Sequence, residues 1–290
     1  MPRLFLRSLL LLLGLSVLSG CVSMPLVSPL LWRTGLWCGG DRADRAAAGL
    51  NAAGLSGPTI NVFGRPEAGW VIYAPAIQAT IGARCPPQTP GFAAALAHWR
   101  ERRGLAPIGV LDAETLAQLK TAWQARRPFV TLREQGVCPD PPPDDAMEVA
   151  AAQESLSDKP IRLRRGALEA YRRMVAAARR AGVASTNSHP VLLALFSGYR
   201  DPVADAARCV AQADCQGLVR AACSAHRTGL ALDLSLGAAP GYALDNSADP
   251  NRLYQTRTPA YLWLTRNAAR YGFVNYVFEP WHWEWTGEAP

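Results

Sequence analysis

Two short strings near the C-terminal end hold side chains whose types and spacing could do metal chemistry: Ser224-Ala-His-Arg-Thr-Gly-Leu-Ala-Leu-Asp233 and Glu279-Pro-Trp-His282. Imidazole and carboxylate groups suit a borderline divalent cation such as zinc. A catalytic zinc site keeps three protein ligands and leaves the fourth position for water. His226, Asp233 and His282 would fill the three. Such a cation lowers the pKa of a bound water towards about 7, and a carboxylate three residues from a ligand can take the proton as that water attacks an electrophile. Glu279 stands there relative to His282. Arg200, closing the string Ser197-Gly198-Tyr199-Arg200, carries a planar guanidinium suited to a developing oxyanion or to a substrate carboxylate. The chain has four histidines. His98 and His189 match no motif and read as a helix-surface and a loop residue. Glu284 reads as a surface acid, and Trp281, Trp283 and Trp285 as alternating strand residues that pack. Cys223 forms a Cys-x-x-His with His226, but a disulfide is the preferred reading for it.

The elements that must position these groups are legible as patterns. Val191 to Phe196 is an apolar run suited to a buried strand that delivers Ser197-Gly198-Tyr199-Arg200. Leu230 to Leu236 alternates between Gly229 and Gly237 and predicts a strand with Asp233 on one face. Gly166 to Gly182 predicts an amphipathic helix with Leu168, Tyr171, Val175 and Ala178 inward. Ala260 to Gly272 has helical period, and Val274 to Trp285 reads as a strand that bulges or runs at an edge around Pro280. The fold class predicted is α+β, a small antiparallel sheet flanked by helices, preceded by a small, mainly helical module. In that module Phe92, Leu96 and Trp99 predict one helix ending near Gly104, and Asp112 caps a second with Leu116, Leu119 and Trp123 on one face. Thr59–Phe63 and Trp70–Ala74 suggest a hairpin, residues 22–58 an irregular tether and lead-in. Cys138-Pro-Asp-Pro-Pro-Pro-Asp-Asp145 is a stiff connector. The predicted organisation is signal peptide 1–20, lead-in 21–81, helical module 82–130, Pro-rich linker 131–150 and a catalytic domain 151–290.

The 290 residues carry a net charge of +7 and are 49% hydrophobic, ordinary globular material rather than a disordered chain. Arg3 and Arg7, the apolar run Ser8–Val17 and then Leu18-Ser19-Gly20-Cys21 form a tripartite export signal too short to be an ordinary membrane span. Its last four residues resemble the bacterial lipobox, which implies lipidation at Cys21; the non-acidic Val22 implies an outer-membrane address facing the periplasm. Export to an oxidising compartment makes disulfides the expected state of Cys38, Cys85, Cys138, Cys209, Cys215 and Cys223. Three of these lie before residue 150 and three after it, so complete pairing needs at least one bridge between the halves. The basic charge then points to anionic wall polymers and lipid head groups rather than nucleic acid. The arginines from Arg162 to Arg180 read as a solvated helix face.

Across residues 160–290 the three motifs, in this order, resemble the VanY-type D-alanyl-D-alanine carboxypeptidases of the LAS zinc metallopeptidases. The resemblance implies an LAS-like fold and the removal of a terminal D-alanine from peptidoglycan stem peptides. It implies zinc on His226, Asp233 and His282, Glu279 as the base, Arg200 as a substrate or oxyanion contact, and Ser224 and Tyr199 as substrate-binding residues. Endopeptidase action on D-amino-acid cross-links and a non-catalytic wall-binding lipoprotein are the alternatives. The chain departs from the family pattern at Asp201, Pro202 and Asp205, where many members carry substrate-holding Ser and Gln, and the Cys209–Cys223 segment could cover or narrow the cleft. Residues His98 to Leu116 resemble small peptidoglycan-binding modules, although a generic helical spacer uses the same turn chemistry. A monomer attached to the outer membrane by its lipid is expected.

Overall fold

Four short strands form the sheet on which the candidate site is laid out. They are β5 (Leu195–Ser197), β6 (Ala231–Leu234), β7 (Phe273–Asn275) and β8 (His282–Trp285), in the order β5-β6-β8-β7 with every pairing antiparallel. They belong to a computed structural model that describes residues 38–184, 192–211 and 223–289. The export signal with Cys21, as well as His189 and Cys215, lies outside the described residues. Because side chains alternate along a strand, Leu195, Leu232, Leu234, Phe273 and Trp283 face one side. They are buried there with Leu168, Tyr171 and Val175 of α6 (Arg165–Arg180) and Leu264 of α9 (Pro259–Asn267). The α+β class is as predicted, and the inward face of the 166–182 helix matches the expectation. Val274–Trp285, read as one bulged strand, is instead the hairpin β7–β8. Its turn over residues 276–281 contains Pro280, which has no N–H to give a sheet ladder and so falls outside the strands.

The N-terminal half differs more from expectation. The stretch Arg42–Gly54, taken within an irregular lead-in, is helix α1, opened by a capping box in which Asp41 Oδ1 accepts from Asp44 N at 2.8 Å and Asp44 Oδ2 from Asp41 N at 3.3 Å. Its buried face consists of Ala47, Ala48 and Asn51, so no large apolar residues mark the period. Asn51 instead bonds the main chain at Gly109 and Leu111, each at 2.8 Å. A hairpin does form, between β1 (Thr59–Ile60) and β2 (Glu67–Ala68). The second predicted strand, Trp70–Ala74, is a 3-10 turn leading into α2 (Ala74–Ile81), where Pro75 suits the first helical turn. Then come α3 (Pro90–Glu101), α4 (Ala113–Gln124), capped by Asp112 as predicted, and the unforeseen α5 (Pro128–Glu134). The Pro-rich stretch is extended and joins the ribbon β3 (Met147–Val149) and β4 (Arg162–Arg164).

The two halves are packed together. Phe63, Trp70, Phe92, Trp99 and Trp123 build a core that also takes in Val277 and Phe278 from the β7–β8 turn. Arg252, on α8 (Asp249–Thr256), is fully buried and donates to the Phe278 carbonyl at 2.7 Å; its guanidinium also pairs with Glu67 and donates to the Tyr73 hydroxyl at 2.7 Å. Cys138–Cys223 supplies the bridge between halves that the cysteine count requires, and Cys38–Cys85 closes a loop within the first half. Cys209 is disulfide-bonded as well. No helix among the described residues is long and apolar enough to cross a membrane.

Candidate metal centre

Register brings the two strand-borne donors together. Asp233 on β6 sits directly opposite His282 on β8, and cross-strand partners carry their Cβ atoms about 4.5–5.5 Å apart on one face. His282 Nδ1 lies 2.9 Å from Asp233 Oδ1. The third donor comes from a 3-10 turn, Ala225–Thr228, opened by Ser224, whose Oγ accepts from His226 N at 3.1 Å. That turn closes at Gly229 with φ +69°, a left-handed conformation that favours glycine. A side chain there would also press on Met147 Sδ at 3.0 Å. His226 Nδ1 meets the Gly198 carbonyl at 2.7 Å, which leaves Nε2 facing Asp233 Oδ2 at 3.3 Å. Gly198 can lie so close because it has no side chain: a Cβ would fall 2.7 Å from the Arg162 carbonyl oxygen.

One donor atom each from His226, Asp233 and His282 therefore lies within 4.8 Å of the others, and all three residues are buried. Burial lowers the pKa of His226, helped by the charge of Arg200, so this imidazole is neutral and able to ligate. Burial alone would raise Asp233, yet His226 and His282 hold its carboxyl well below the usual carboxylate range. Burial likewise opposes charge on His282, but the neighbouring carboxylates of Asp233 and Glu284 push it up to about 9. Buried carboxylates thus demand a positive charge at this focus. A divalent cation on two imidazoles and a carboxylate meets that demand with the donor set zinc prefers.

Glu279 sits in the β7–β8 turn. Its carbonyl accepts from His282 N at 2.9 Å and its N–H donates to the Tyr276 carbonyl at 2.8 Å. A tight turn with Pro280 second in Glu-Pro-Trp-His suits the fixed φ of proline, and it fixes the spacing of base and ligand. Burial pushes the Glu279 carboxyl up to about 7, with the charges of His282, Asp233, Arg127 and Arg200 acting on it. Arg200 lies at the rim, its side chain 24% exposed, with Nη2 at 3.2 Å from Ser197 Oγ and 3.4 Å from Asp233 Oδ2. Among the described residues the Ser224 hydroxyl accepts from His226 N and donates to no acceptor. Tyr199 is not hydrogen-bonded to the three donors; its ring lies under Arg162, 5.9 Å from guanidinium to centroid. Asp201, one of the departures from the family pattern, accepts from Val203 N at 2.9 Å and Ala204 N at 3.2 Å and so starts α7 (Pro202–Ala211).

Glu284 is not a surface acid: it is 1% exposed. Burial would raise its pKa, but Arg127, with help from His282, holds it down at about 2. Being two residues from His282 on one strand, Glu284 shares its face. Arg127, which no local sequence pattern marks, reaches Glu284 Oε1 through Nε at 2.7 Å and Nη2 at 2.6 Å. His98 does lie on a helix, 3.3 Å from Glu101. Trp281 and Trp283 are buried as packing residues.

Comparison with known proteins bears on the stretch that holds these groups. No curated protein matches the chain. A solved structure of the LdcB LD-carboxypeptidase, reported as revealing the molecular basis of peptidoglycan recognition, is similar at 23% identity over 50% of this chain and 69% of that chain, with a TM-score of 0.37. Residues 160–288, somewhat less than half of the chain, match the family model for VanY, D-alanyl-D-alanine carboxypeptidase, and this similar stretch contains His226, Asp233, Glu279, His282 and Arg200.

Proposed function

We propose that the protein is a zinc-dependent peptidase of the bacterial cell wall that removes the terminal D-alanine from peptidoglycan stem peptides. The observation that carries this reading is the buried convergence of His226, Asp233 and His282, with the carboxylate residue Glu279 in the same tight turn as His282. A purely structural zinc site fills its fourth position with a protein ligand and has no use for a neighbouring base. The match of residues 160–288 to the VanY family model supports the substrate class.

In this reading His226, Asp233 and His282 hold the cation, which supplies Lewis acidity towards the scissile carbonyl and acidifies a water. Glu279 takes a proton from the attacking water and gives it to the leaving amine, so that the C–N bond breaks and D-alanine departs with a neutral amino group. Arg200 donates to the carbonyl oxygen as charge develops, or to the terminal carboxylate of the stem peptide, and the Ser224 hydroxyl donates to that carboxylate. Tyr199, beside Arg162, borders the substrate from the connector side. The Gly198 carbonyl keeps the His226 proton on Nδ1, so Nε2 stays a ligand. Lipidation at Cys21 and an outer-membrane, periplasm-facing location complete the proposal, with the helical segment 82–130 standing between anchor and catalytic part.

The test is to incubate the zinc-loaded mature protein with disaccharide pentapeptide and with cross-linked dimers, following products by mass beside Glu279→Ala. Loss of one alanine from the pentapeptide, absent in the variant, is the expected result. Cleavage of dimers alone would make the protein an endopeptidase. No change in either substrate by the zinc-bound protein would overturn the catalytic reading in favour of a wall-binding one.

A further inference from the structure

We infer that Arg127 and Glu284 are positioning residues for the candidate metal ligand His282, so that the N-terminal half is a working part of the metal centre. The inference rests on the zinc reading above. An imidazole that offers Nδ1 to a cation must carry its proton on Nε2. In His282, Nδ1 faces Asp233, while the buried Nε2 forms no hydrogen bond among the described residues. The acceptor nearest to hand is Glu284 Oε1, at 3.5 Å. A ligating histidine almost always donates its other ring N–H to a carboxylate or carbonyl, which fixes its orientation and raises its basicity.

Glu284 cannot turn to solvent, and what holds it comes from outside the family-matched stretch. Arg127 grips Oε1 with two nitrogens, and the main-chain N–H of Phe129 donates to Oε2 at 3.1 Å. Arg127 is fixed in turn by Gln124 Oε1 at 3.1 Å and by the Tyr276 ring, 4.0 Å from its guanidinium. That ring meets His282 edge-on at a centroid distance of 6.1 Å. A line therefore runs from the end of α4 through Arg127 and Glu284 to His282, and Phe129 packs with Ala225 and Ala231 over the same face of the sheet. An ion pair so deeply buried adds little to stability compared with an apolar pair of the same shape, which favours a positioning role over a purely structural one.

The test measures zinc affinity of the full mature chain by competition with a chromophoric chelator, and the visible spectrum of the cobalt(II) form, for the parent, Glu284→Gln and the double variant R127M/E284Q. The double variant removes both charges together, so it serves if the single one leaves Arg127 buried, unpaired and the chain unfolded. The expected outcome is a zinc dissociation constant raised about 10–100-fold and an altered cobalt spectrum, with unchanged far-ultraviolet circular dichroism. Affinity within twofold of the parent and an identical cobalt spectrum in a folded variant would overturn the inference alone. A parent that binds no zinc would overturn the metal reading and the inference with it.

Discussion

Glu279 and Asp233 are both carboxylates on one small site, yet their surroundings drive them in opposite directions. Asp233 faces two imidazoles and stays ionised, whereas Glu279 is pushed up to about 7 by burial. Only its ionised form can take a proton, so kcat/KM is expected to rise with pH along an acidic limb. The limb should lie at or below about 7, because a cation nearby favours the carboxylate. A pH profile of D-alanine release checks this, and a rate independent of pH from 5 to 8 would remove Glu279 from the proton path. Replacing Glu279 by Gln should lower kcat about 10²–10⁴-fold while zinc content, read by metal analysis, stays at the parent level. Chelation should abolish turnover, and added zinc should restore it. These candidate residues are legible from sequence because each motif is local: a proposed ligand and a proposed base three residues apart need only one turn. The burial of Glu284 is not legible in the sequence because its partner Arg127 is 157 residues away, and no local pattern marks such a pairing.

At the scale of elements, the 3-10 turn carrying His226 has no regular strand or long helix to stiffen it. Three devices hold it: the Ser224 cap, the left-handed Gly229, and the Cys138–Cys223 bridge three residues before the ligand. The bridge ties the turn to the Pro-rich connector, itself stiff. Removing it with Cys138→Ser and Cys223→Ser together should cost about 2–4 kcal/mol of stability, read by chemical denaturation of the zinc-free protein. Zinc affinity should fall as well; an unchanged affinity would mean that the cap and Gly229 suffice. Just after Arg200, Asp201 caps the start of α7 by accepting from Val203 N and Ala204 N, with Pro202 in the first helical turn.

For the molecule as a whole, the stretch that holds the candidate metal centre does not carry all of its own support. Val277 and Phe278, from the turn that bears Glu279, are buried in the core of the N-terminal half. Exposing two such side chains costs roughly 1.5–3 kcal/mol each, and leaving Glu284 buried without Arg127 costs about 3–5 kcal/mol more. That is comparable with the whole stability of a domain, about 5–15 kcal/mol. A fragment comprising residues 151–290 is therefore expected to be insoluble or to melt far below the mature chain, as differential scanning calorimetry would show. A fragment with the parent melting temperature would contradict the shared core.

Local sequence marks the candidate donors, the candidate base and most of the elements beneath them, because metal ligation depends on residue type and on spacings within one turn or strand, and because strand and helix periods are local; the hairpin that bears Glu279 and His282 reads as a single strand until its pairing is seen. The count of six cysteines, three on each side of residue 150, also implies a disulfide between the halves if all of them pair. Helix α1 leaves no such local mark, since a face of Ala47, Ala48 and Asn51 has no large apolar period to read. Tertiary structure alone decided which cysteines pair across the halves, that Arg127 and Glu284 meet behind His282, and that the Glu279 turn is anchored in the N-terminal core. Each of these joins groups far apart in the chain, where contact follows from the packing of whole elements rather than from local chemistry.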